Sequence, residues 1–306
     1  MTTHSSTTHD LAQRKVQFDW SQTPLHWIPG DASASHLVNE INLILPAGEF
    51  WFCKVFNRAR PLITDDKLSE DVKGFVGQEA MHARAHDSAT VEYLQASGIE
   101  TSGHIRRVQW LFDKPLGDSP WGVSLPEFLQ RPWLVLRLGA IAAIEHFTCV
   151  MGKFALENSA WEAAGADANM VDLLRWHGAE EVEHRCVAFD LYRHLCRLPA
   201  PLRYLLDMLL IMLVVPVMLF IWNSGAAYMM RQDPQLRSYH PSVWRPWIWR
   251  EWRRAAAAGF IPSVGWLLWQ ALRYLRPGYH PTDEADTEPA LLYLASSPAT
   301  LRAESV

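Results

Sequence analysis

The stretch GQEAMHARAH, residues 77–86, places a carboxylate and two imidazoles at the spacing of one helix face. Glu79, His82 and His86 are three and then four positions apart, and residues at i, i+3 and i+7 lie above one another on an α-helix. Carboxylates and imidazoles stacked in this way among small and apolar neighbours are candidate metal ligands. A solvated helix face could carry the same residues, so this stretch predicts a helix and leaves its chemistry open.

A second copy of the pattern occurs in HGAEEVEH, residues 177–184, where His177, Glu181 and His184 follow one another at steps of four and three. Both copies contain Glu-x-x-His. Bundles that bind two metal ions take such a motif from each of two helices and one further Glu from each of the other two. The repetition favours a metal centre over the alternative, in which the two Glu are solvated and the two His are hydrogen-bonded core residues.

Two further carboxylates fit this arrangement. Glu49 lies in LPAGEFWF and Glu145 in AAIEHF, both in apolar surroundings that suit a ligand better than a solubilising residue. Burying four carboxylates without cations would carry a prohibitive desolvation cost, so metal ions or protons must compensate. The predicted metal ligands, which are also the predicted catalytic residues, are Glu49, Glu79, His82, Glu145, Glu181 and His184.

The donor set indicates two metal ions, with iron favoured and manganese as the alternative, because thiolates would instead favour zinc or copper(I). His86 and His177 each lie one turn beyond a Glu-x-x-His unit. Two interpretations of them stay open: additional metal ligands, or side chains whose hydrogen bonds orient a ligand. We expect surface positions or orienting roles for His146, Glu180 and Glu183, and small core residues at Cys53 and Cys149.

The periodicity predicts an all-α protein, since no long alternating Val/Ile/Thr run occurs in the first 200 residues. Four long helices make a bundle the expected architecture for residues 21–200. Pro46 should kink or split the first of them. Residues 1–20 are polar, lack a secretory signal and are predicted to form a disordered tail. The predicted helices span 36–60, 66–97, 125–158 and 167–197.

Net charge and cysteine usage exclude two classes of protein. The formal net charge of −5 lacks the basic excess that a general nucleic-acid binder needs. The four cysteines are far apart and form no CxxC pair, which excludes a disulfide framework and a zinc knuckle. This cysteine usage indicates a reducing compartment.

Residues 201–280 predict a hydrophobic helical extension. From Met208 to Met230 there are 23 consecutive uncharged residues, enough to cross a bilayer. Residues 242–254, SVWRPWIWREWRR, interleave Trp and Arg as at a lipid headgroup layer, and a second apolar stretch covers 255–272. A membrane span, a hairpin in one leaflet, and helices buried on the bundle or in a homodimer all stay open, with the leaflet favoured. The remaining residues, 281–306, are predicted to be an irregular tail.

Resemblance to a known family rests on five blocks: HWIPGD (26–31), LPAGE (45–49), GFVGQEAMHARAH (74–86), AAIEHF (142–147) and WHGAEEVEH (176–184). Over roughly residues 20–285 the chain resembles the predicted metal-dependent hydrolase family of bacteria. That family is grouped with the ferritin-like superfamily of four-helix carboxylate metalloproteins. The resemblance implies a ferritin-like bundle with a dinuclear metal site.

Three functions fit these observations. The first is a di-iron oxidase or oxygenase that uses O2 and an electron donor to oxidise a hydrophobic small molecule. The second is a metal-dependent hydrolase, although hydrolases of that kind more often use His/Asp-rich sites. The third is a non-enzymatic metal-binding protein. We expect the protein at the cytoplasmic face of the membrane, or in the cytoplasm, with no nucleic-acid partner.

Overall fold

The computed structural model describes residues 11–304, and within them every regular element is helical. The all-α prediction is confirmed. The α-helices are α1 (Ala32–Asn39), α2 (Ile41–Ala59), α3 (Asp66–Ser88), α4 (Ser102–Asp113), α5 (Glu127–Glu157), α6 (Ala160–Ala163), α7 (Ala168–His184), α8 (Val187–Leu195), α9 (Ala200–Met230), α10 (Pro246–Ala257), α11 (Val264–Tyr274), α12 (Thr287–Ser296) and α13 (Pro298–Glu304).

Helices α2, α3, α5 and α7 form the central bundle. α2 packs against α3 and α5, and α7 packs against α5 and α3, so the four helices enclose a common interior. Asp65 and Asp167 cap the starts of α3 and α7 by accepting backbone N–H bonds from Leu68 and Met170. Each bundle helix carries at least one of the predicted metal ligands.

Three of the predicted helices end or break at other positions than expected. The first breaks at Glu40, between α1 and α2, and α2 runs through Pro46 without a break. The second continues beyond Ser88 as a π-helical stretch, Ala89–Gln95. The fourth ends as an α-helix at His184, and α8 begins at Val187. The short helix α4, which packs on α2, was not predicted.

Both predicted tails are wrong over the residues that the structure describes. Val16, Phe18 and Trp20 are buried in the core, although residues 11–20 contain no helix, and residues 1–10 lie outside the described part. In place of an irregular tail after 281, α12 and α13 pack against α7. Asp172 of α7 accepts hydrogen bonds from the hydroxyls of Tyr293 and Ser297, which fixes this C-terminal segment.

The hydrophobic extension packs on one side of the bundle. Helix α9 contacts α1 and α5, and its buried Asp207 accepts a hydrogen bond from the Tyr192 hydroxyl of α8 at 2.8 Å. Helix α10 contacts α1, and Arg254 donates two hydrogen bonds to the carboxylate of Asp31. The extension is therefore part of the same folded body as the bundle.

By length and composition, two helices within the described residues could cross a membrane. They are α5 and α9, and they differ in environment. The most apolar stretch of α5 is 72% buried in the protein, whereas that of α9 is only 33% buried. α5 therefore has the environment of a core helix, and α9 exposes an apolar face.

Candidate metal centre

Glu79 of α3, Glu145 of α5, and Glu181 and His184 of α7 form one cluster, whose ligand atoms all lie within 4.8 Å of one another. His184 Nε2 lies 3.2 Å from Glu79 Oε1 and 3.4 Å from an oxygen of each of the other two carboxylates. His184 Nδ1 donates to Gln78 Oε1 at 3.0 Å. A neutral ring with its proton on Nδ1 turns the Nε2 lone pair toward three carboxylates, which is stable only when a cation lies between them.

Glu49 of α2, His82 of α3 and His177 of α7 form a second cluster at the same spacing. His177 Nε2 lies 3.7 Å from Glu49 Oε1 and 2.8 Å from Glu181 Oε1. His82 Nδ1 lies 3.4 Å from Glu181 Oε1, and its Nε2 donates to Glu180 Oε2 at 2.9 Å. Glu181 thus faces this cluster with Oε1 and the first cluster with Oε2. That is the placement of a carboxylate that bridges two ions.

His86 lies behind His177, away from the carboxylates. Its Nδ1 lies 2.7 Å from Asn42 Oδ1, and its Nε2 shares a hydrogen bond with His177 Nδ1 at 2.6 Å. The other nitrogen of His177, Nε2, donates to Glu181 Oε1 at 2.8 Å and lies 3.7 Å from Glu49 Oε1, so it faces the carboxylates. Of the two interpretations of the extra histidines, the geometry favours a ligand role for His177 and an orienting role for His86. Metal binding by either one stays a prediction.

Most of the atoms that face one another in the two clusters are buried and lack hydrogen-bond partners within the described residues, with the exception of His177 Nε2, which donates to Glu181 Oε1. Buried polar atoms without partners are costly in free energy. Two divalent cations would satisfy all of these atoms at once, so the residues fit the predicted pair of metal ions. The unpartnered atoms are both carboxylate oxygens of Glu49 and of Glu79, Glu145 Oε2, Glu181 Oε2, His82 Nδ1 and His184 Nε2.

The electrostatics of the clusters show the same need for positive charge. Burial, followed by repulsion from neighbouring carboxylates, raises the pKa of Glu49 and of Glu145 well above the ordinary value. Burial alone would lower the pKa of His82 and His184, but the surrounding carboxylates raise both well above the ordinary value. Without metal, protons therefore take the place of the cations. Metal binding would release them.

A second layer of buried polar residues holds the two Glu-x-x-His histidines. Gln78, which accepts from His184, donates in turn to Glu183 Oε2 at 2.7 Å. Arg14 donates to Glu183 at 2.9 Å and to Glu180 at 2.8 Å, and Glu180 is the acceptor for His82. One guanidinium group from the N-terminal segment therefore supports both histidines through their carboxylate and amide partners.

Surface positions for Glu180, Glu183 and His146 are wrong, because all three side chains are buried. The two carboxylates take the orienting role, whereas His146 bonds to the Tyr279 hydroxyl and the Gln270 carbonyl, away from the clusters. Cys149 is buried in the core and Cys53 is partly buried, and neither belongs to a ligand cluster.

The sequence analysis missed two residues of this site, Arg14 and Gln78. Gln78 directly precedes Glu79 in the quoted block, and its position one residue before a ligand was a usable signal. Arg14 gave none, because it lies in a polar stretch without periodicity. The structure brings together all eight predicted residues, and their role as metal ligands stays a prediction.

The fold and the clusters define the class: a helical bundle whose interior holds carboxylate and imidazole groups suited to metal ions. A family model described as predicted metal-dependent hydrolase matches residues 12–285. The chain belongs to this family. No curated protein matches the chain, and no solved structure matches it.

Proposed function

We propose that this protein is an enzyme with a dinuclear metal centre. Glu49, His82 and His177 would hold one ion, and Glu79, Glu145 and His184 the other, with Glu181 between the two. The observation that carries the proposal is the orientation of the three imidazoles. A hydrogen bond fixes one nitrogen of each ring, and the other nitrogen faces buried carboxylate oxygens, most of which have no hydrogen-bond partner within the described residues.

The donor set favours an iron pair, with manganese as the alternative, and a ferritin-like type of site. We propose an oxidase or oxygenase that acts on a hydrophobic substrate, in which a bound, reduced iron pair would supply electrons to O2. The protein's own residues contribute a buried site that excludes bulk water, and a hydrogen-bond network of Gln78, Glu180, Glu183 and Arg14 that orients the histidines. An electron donor is an implied partner.

A second candidate, a metal-dependent hydrolase, is favoured by the description of the family. The two clusters would hold paired divalent ions, and such ions would supply a water of lowered pKa as the nucleophile for an ester, amide or phosphoester. This candidate needs neither O2 nor an electron donor.

We also propose that the protein binds to one leaflet of a membrane, at the cytoplasmic face, through α9. An apolar stripe on the outer face of that helix includes Leu209, Met212, Leu213 and Phe220, all well exposed. Phe220 contacts the ring of Trp244, whose side chain is 80% exposed and precedes exposed Arg245. An apolar stripe that ends in Trp and Arg suits the boundary between lipid chains and headgroups.

The Trp/Arg segment supports this proposal less than its sequence indicates. Trp252 is fully buried and donates to the Pro262 carbonyl, and Trp249 donates to the Val243 carbonyl. The exposed apolar face therefore belongs to α9 and not to α10. Membrane binding is therefore assigned to α9 and Trp244.

Metal analysis tests the proposed centre. The double variant Glu79→Ala, Glu181→Ala should bind no stoichiometric metal. One cluster loses two carboxylates, and the other loses Glu181, which faces both clusters. The control is Glu70→Ala, Glu157→Ala, two exposed carboxylates on α3 and α5. Two ions retained per chain by the first variant would refute the centre.

Two assays separate the candidate reactions on the wild-type protein. Anaerobic loading with Fe(II), followed by exposure to O2, should consume O2 in proportion to the iron bound if the enzyme is an oxidase. Metal-dependent cleavage of ester probes under anaerobic conditions would instead establish the hydrolase. Metal binding with neither activity would indicate the non-enzymatic alternative.

A further inference from the structure

An apolar cavity of about 130 Å³ lies between the metal clusters and the hydrophobic extension. Its walls come from α1, α2, α3, α5, α6, α7, α9 and α11 and from the turn that precedes α11. The lining runs along α5 from Phe147 to Ala155 and along α9 from Val215 to Trp222. Seven to eight residues of helix extend about 10–12 Å. A cavity of this small volume spread over that length is narrow.

The cavity is polar at one end only. Its polar side chains other than Trp are His86, Thr148, His177 and Glu181, which all belong to the metal clusters or lie one turn from a predicted ligand. The Thr148 hydroxyl already donates to the Glu145 carbonyl at 3.1 Å. His177 and Glu181 are therefore the reactive groups that face the cavity.

The rest of the wall offers no free polar group to a ligand. The two lining tryptophans direct their ring N–H groups into the protein: Trp161 donates to the Phe260 carbonyl and Trp222 to the Leu37 carbonyl. The remaining lining consists of aliphatic, aromatic and glycine residues. Such a cavity selects for apolar surface and gives no hydrogen bond to a polar substituent along its length.

The cavity reaches both ligand clusters. His177 belongs to the cluster of Glu49, His82 and His177, and Glu181 belongs to the cluster of Glu79, Glu145, Glu181 and His184. Glu181 Oε1 lies 2.8 Å from His177 Nε2, so the two cavity-lining groups lie side by side. A molecule in the cavity would therefore end beside both clusters.

Helix α9 forms one wall of this cavity. Val215, Met218 and Leu219 line the cavity, while Leu213 and Phe220 lie on the outer face. One helix thus carries cavity-lining residues on one side and the proposed membrane-contacting stripe on the other.

We propose that the cavity binds a single unbranched aliphatic chain, with the carbon that is to react placed beside His177 and Glu181. This inference rests on the proposed metal centre for the position of the reacting end, and on the cavity alone for the shape of the ligand. An apolar cavity of about 150 Å³ holds one benzene molecule, so about six carbons of a chain would lie inside. The rest of the chain would lie toward the turn of Phe260, Ile261 and Pro262.

The test is a binding titration of the metal-free protein with straight-chain primary alcohols of increasing length. Affinity should rise roughly fourfold for each added methylene until the cavity is filled, because each buried methylene contributes a nearly constant transfer free energy. Adamantan-1-ol, a compact cage with as many carbons as decan-1-ol, should bind more weakly than decan-1-ol. Phosphatidylcholine vesicles with acyl chains of the same lengths show whether a chain that is still part of a lipid also enters the cavity.

The variant Leu219→Trp fills the cavity, and Leu213→Trp makes the same substitution on the exposed face of α9. The first should abolish the dependence on chain length, and the second should retain it. Leu219→Phe adds less volume and replaces the first variant if circular dichroism shows that Leu219→Trp is unfolded.

Affinity that is independent of chain length, or that is equal in the two Leu→Trp variants, would overturn the inference. Metal content measured on separate, metal-loaded samples of the same proteins keeps the two proposals apart. Chain binding without metal binding would refute the metal centre and support the cavity as a chain-binding site. Metal binding without chain binding would support the metal centre and refute chain binding in the cavity.

Discussion

Gly152 of α5 and Gly178 of α7 lie back to back where the two helices cross. A Cβ atom placed on Gly178 would lie 2.7 Å from Gly152 Cα, closer than side chains tolerate. The contact sets the separation of the two helices that supply Glu145 and Glu181, and these carboxylates both lie 3.4 Å from His184 Nε2. Both glycines also line the apolar cavity.

Gly178→Ala should destabilise the protein by about 1–3 kcal/mol, since the added methyl group forces α5 and α7 apart. Metal affinity should fall as well, because the ligands of the four-residue cluster separate. Thermal or urea unfolding and metal titration measure the two effects. Gly265→Ala in α11 is the control, because a Cβ atom there meets nothing closer than 3.9 Å. Equal stability of the two variants would contradict the prediction.

Arg14→Ala should cost about 3–5 kcal/mol of unfolding free energy, because it leaves the buried carboxylates of Glu180 and Glu183 without their guanidinium partner. Urea unfolding at neutral pH measures the loss. Arg302→Ala removes an arginine whose side chain bonds to the Gln17 carbonyl at an exposed position, and serves as the control. A loss no larger than that of the control would show that Arg14 does not support the site.

Loss of a ligand from the three-residue cluster should remove one ion and leave the other. His177→Ala is expected to lower the metal content from two ions to one per chain, whereas Glu79→Ala with Glu181→Ala lowers it to none. His86→Ala should keep both ions and weaken binding about 10–100-fold, since it removes only the hydrogen bond that orients His177. Metal analysis after dialysis against increasing chelator distinguishes the three variants. Identical metal content in all of them would contradict the division into two clusters.

Stability should fall with rising pH because of Glu40, a carboxyl that lies against Gly225 of α9 and accepts from His104 of α4 at 2.7 Å. Burial raises its pKa from 4.5 to about 7, and the His104 contact offsets part of that rise. The folded state therefore binds more protons than the unfolded state between these pH values. The stabilisation is complete below pH 4.5 and is lost as the pH rises to about 7.

Glu40→Gln isolates this contribution from the other titrating groups. Between pH 4.5 and 7 the wild-type protein should lose roughly 3 kcal/mol of unfolding free energy relative to the variant. Urea unfolding of both proteins across this range measures the difference. Parallel stability curves would show that Glu40 titrates as an ordinary surface carboxyl.

Membrane binding should depend on the outer face of α9. Leu209→Gln with Leu213→Gln should lower the partition coefficient into phosphatidylglycerol/phosphatidylcholine vesicles about a hundredfold, because two leucines lose their burial in lipid. Co-sedimentation with the vesicles measures this coefficient. Leu62→Gln with Leu292→Gln, also exposed but on the 3-10 turn after α2 and on α12, is the matched control. Equal vesicle binding by the two double variants would refute α9 as the contact.

The bundle could be predicted from the sequence because its signals are local. Glu79 and His82 share a helix face through their spacing alone, and the second copy at Glu181 and His184 repeats it. Apolar neighbours marked Glu49 and Glu145 as interior residues. Local spacing could not predict the hydrogen bonds that orient the ligands. Arg14 meets Glu180 and Glu183 across more than 160 positions of chain.

Local sequence patterns also could not predict which residues of 242–254 are buried in the protein. The Trp/Arg pattern of 242–254 predicts contact with lipid headgroups, yet Trp252 is inside the protein. Composition indicates that tryptophan favours an apolar environment, but it does not indicate whether protein or lipid provides that environment. The packing of α10 on α1, with the Arg254–Asp31 pair, decides that point.

The sequence by itself determined the all-α class, the two Glu-x-x-His motifs and the chemistry of the donor set, since helical periodicity and ligand type are properties of neighbouring residues. The tertiary structure decided that His177 rather than His86 faces the carboxylates, that Arg14 supports both motifs, and that an apolar cavity reaches His177 and Glu181. These depend on contacts between distant segments, whose geometry is fixed only when the helices pack.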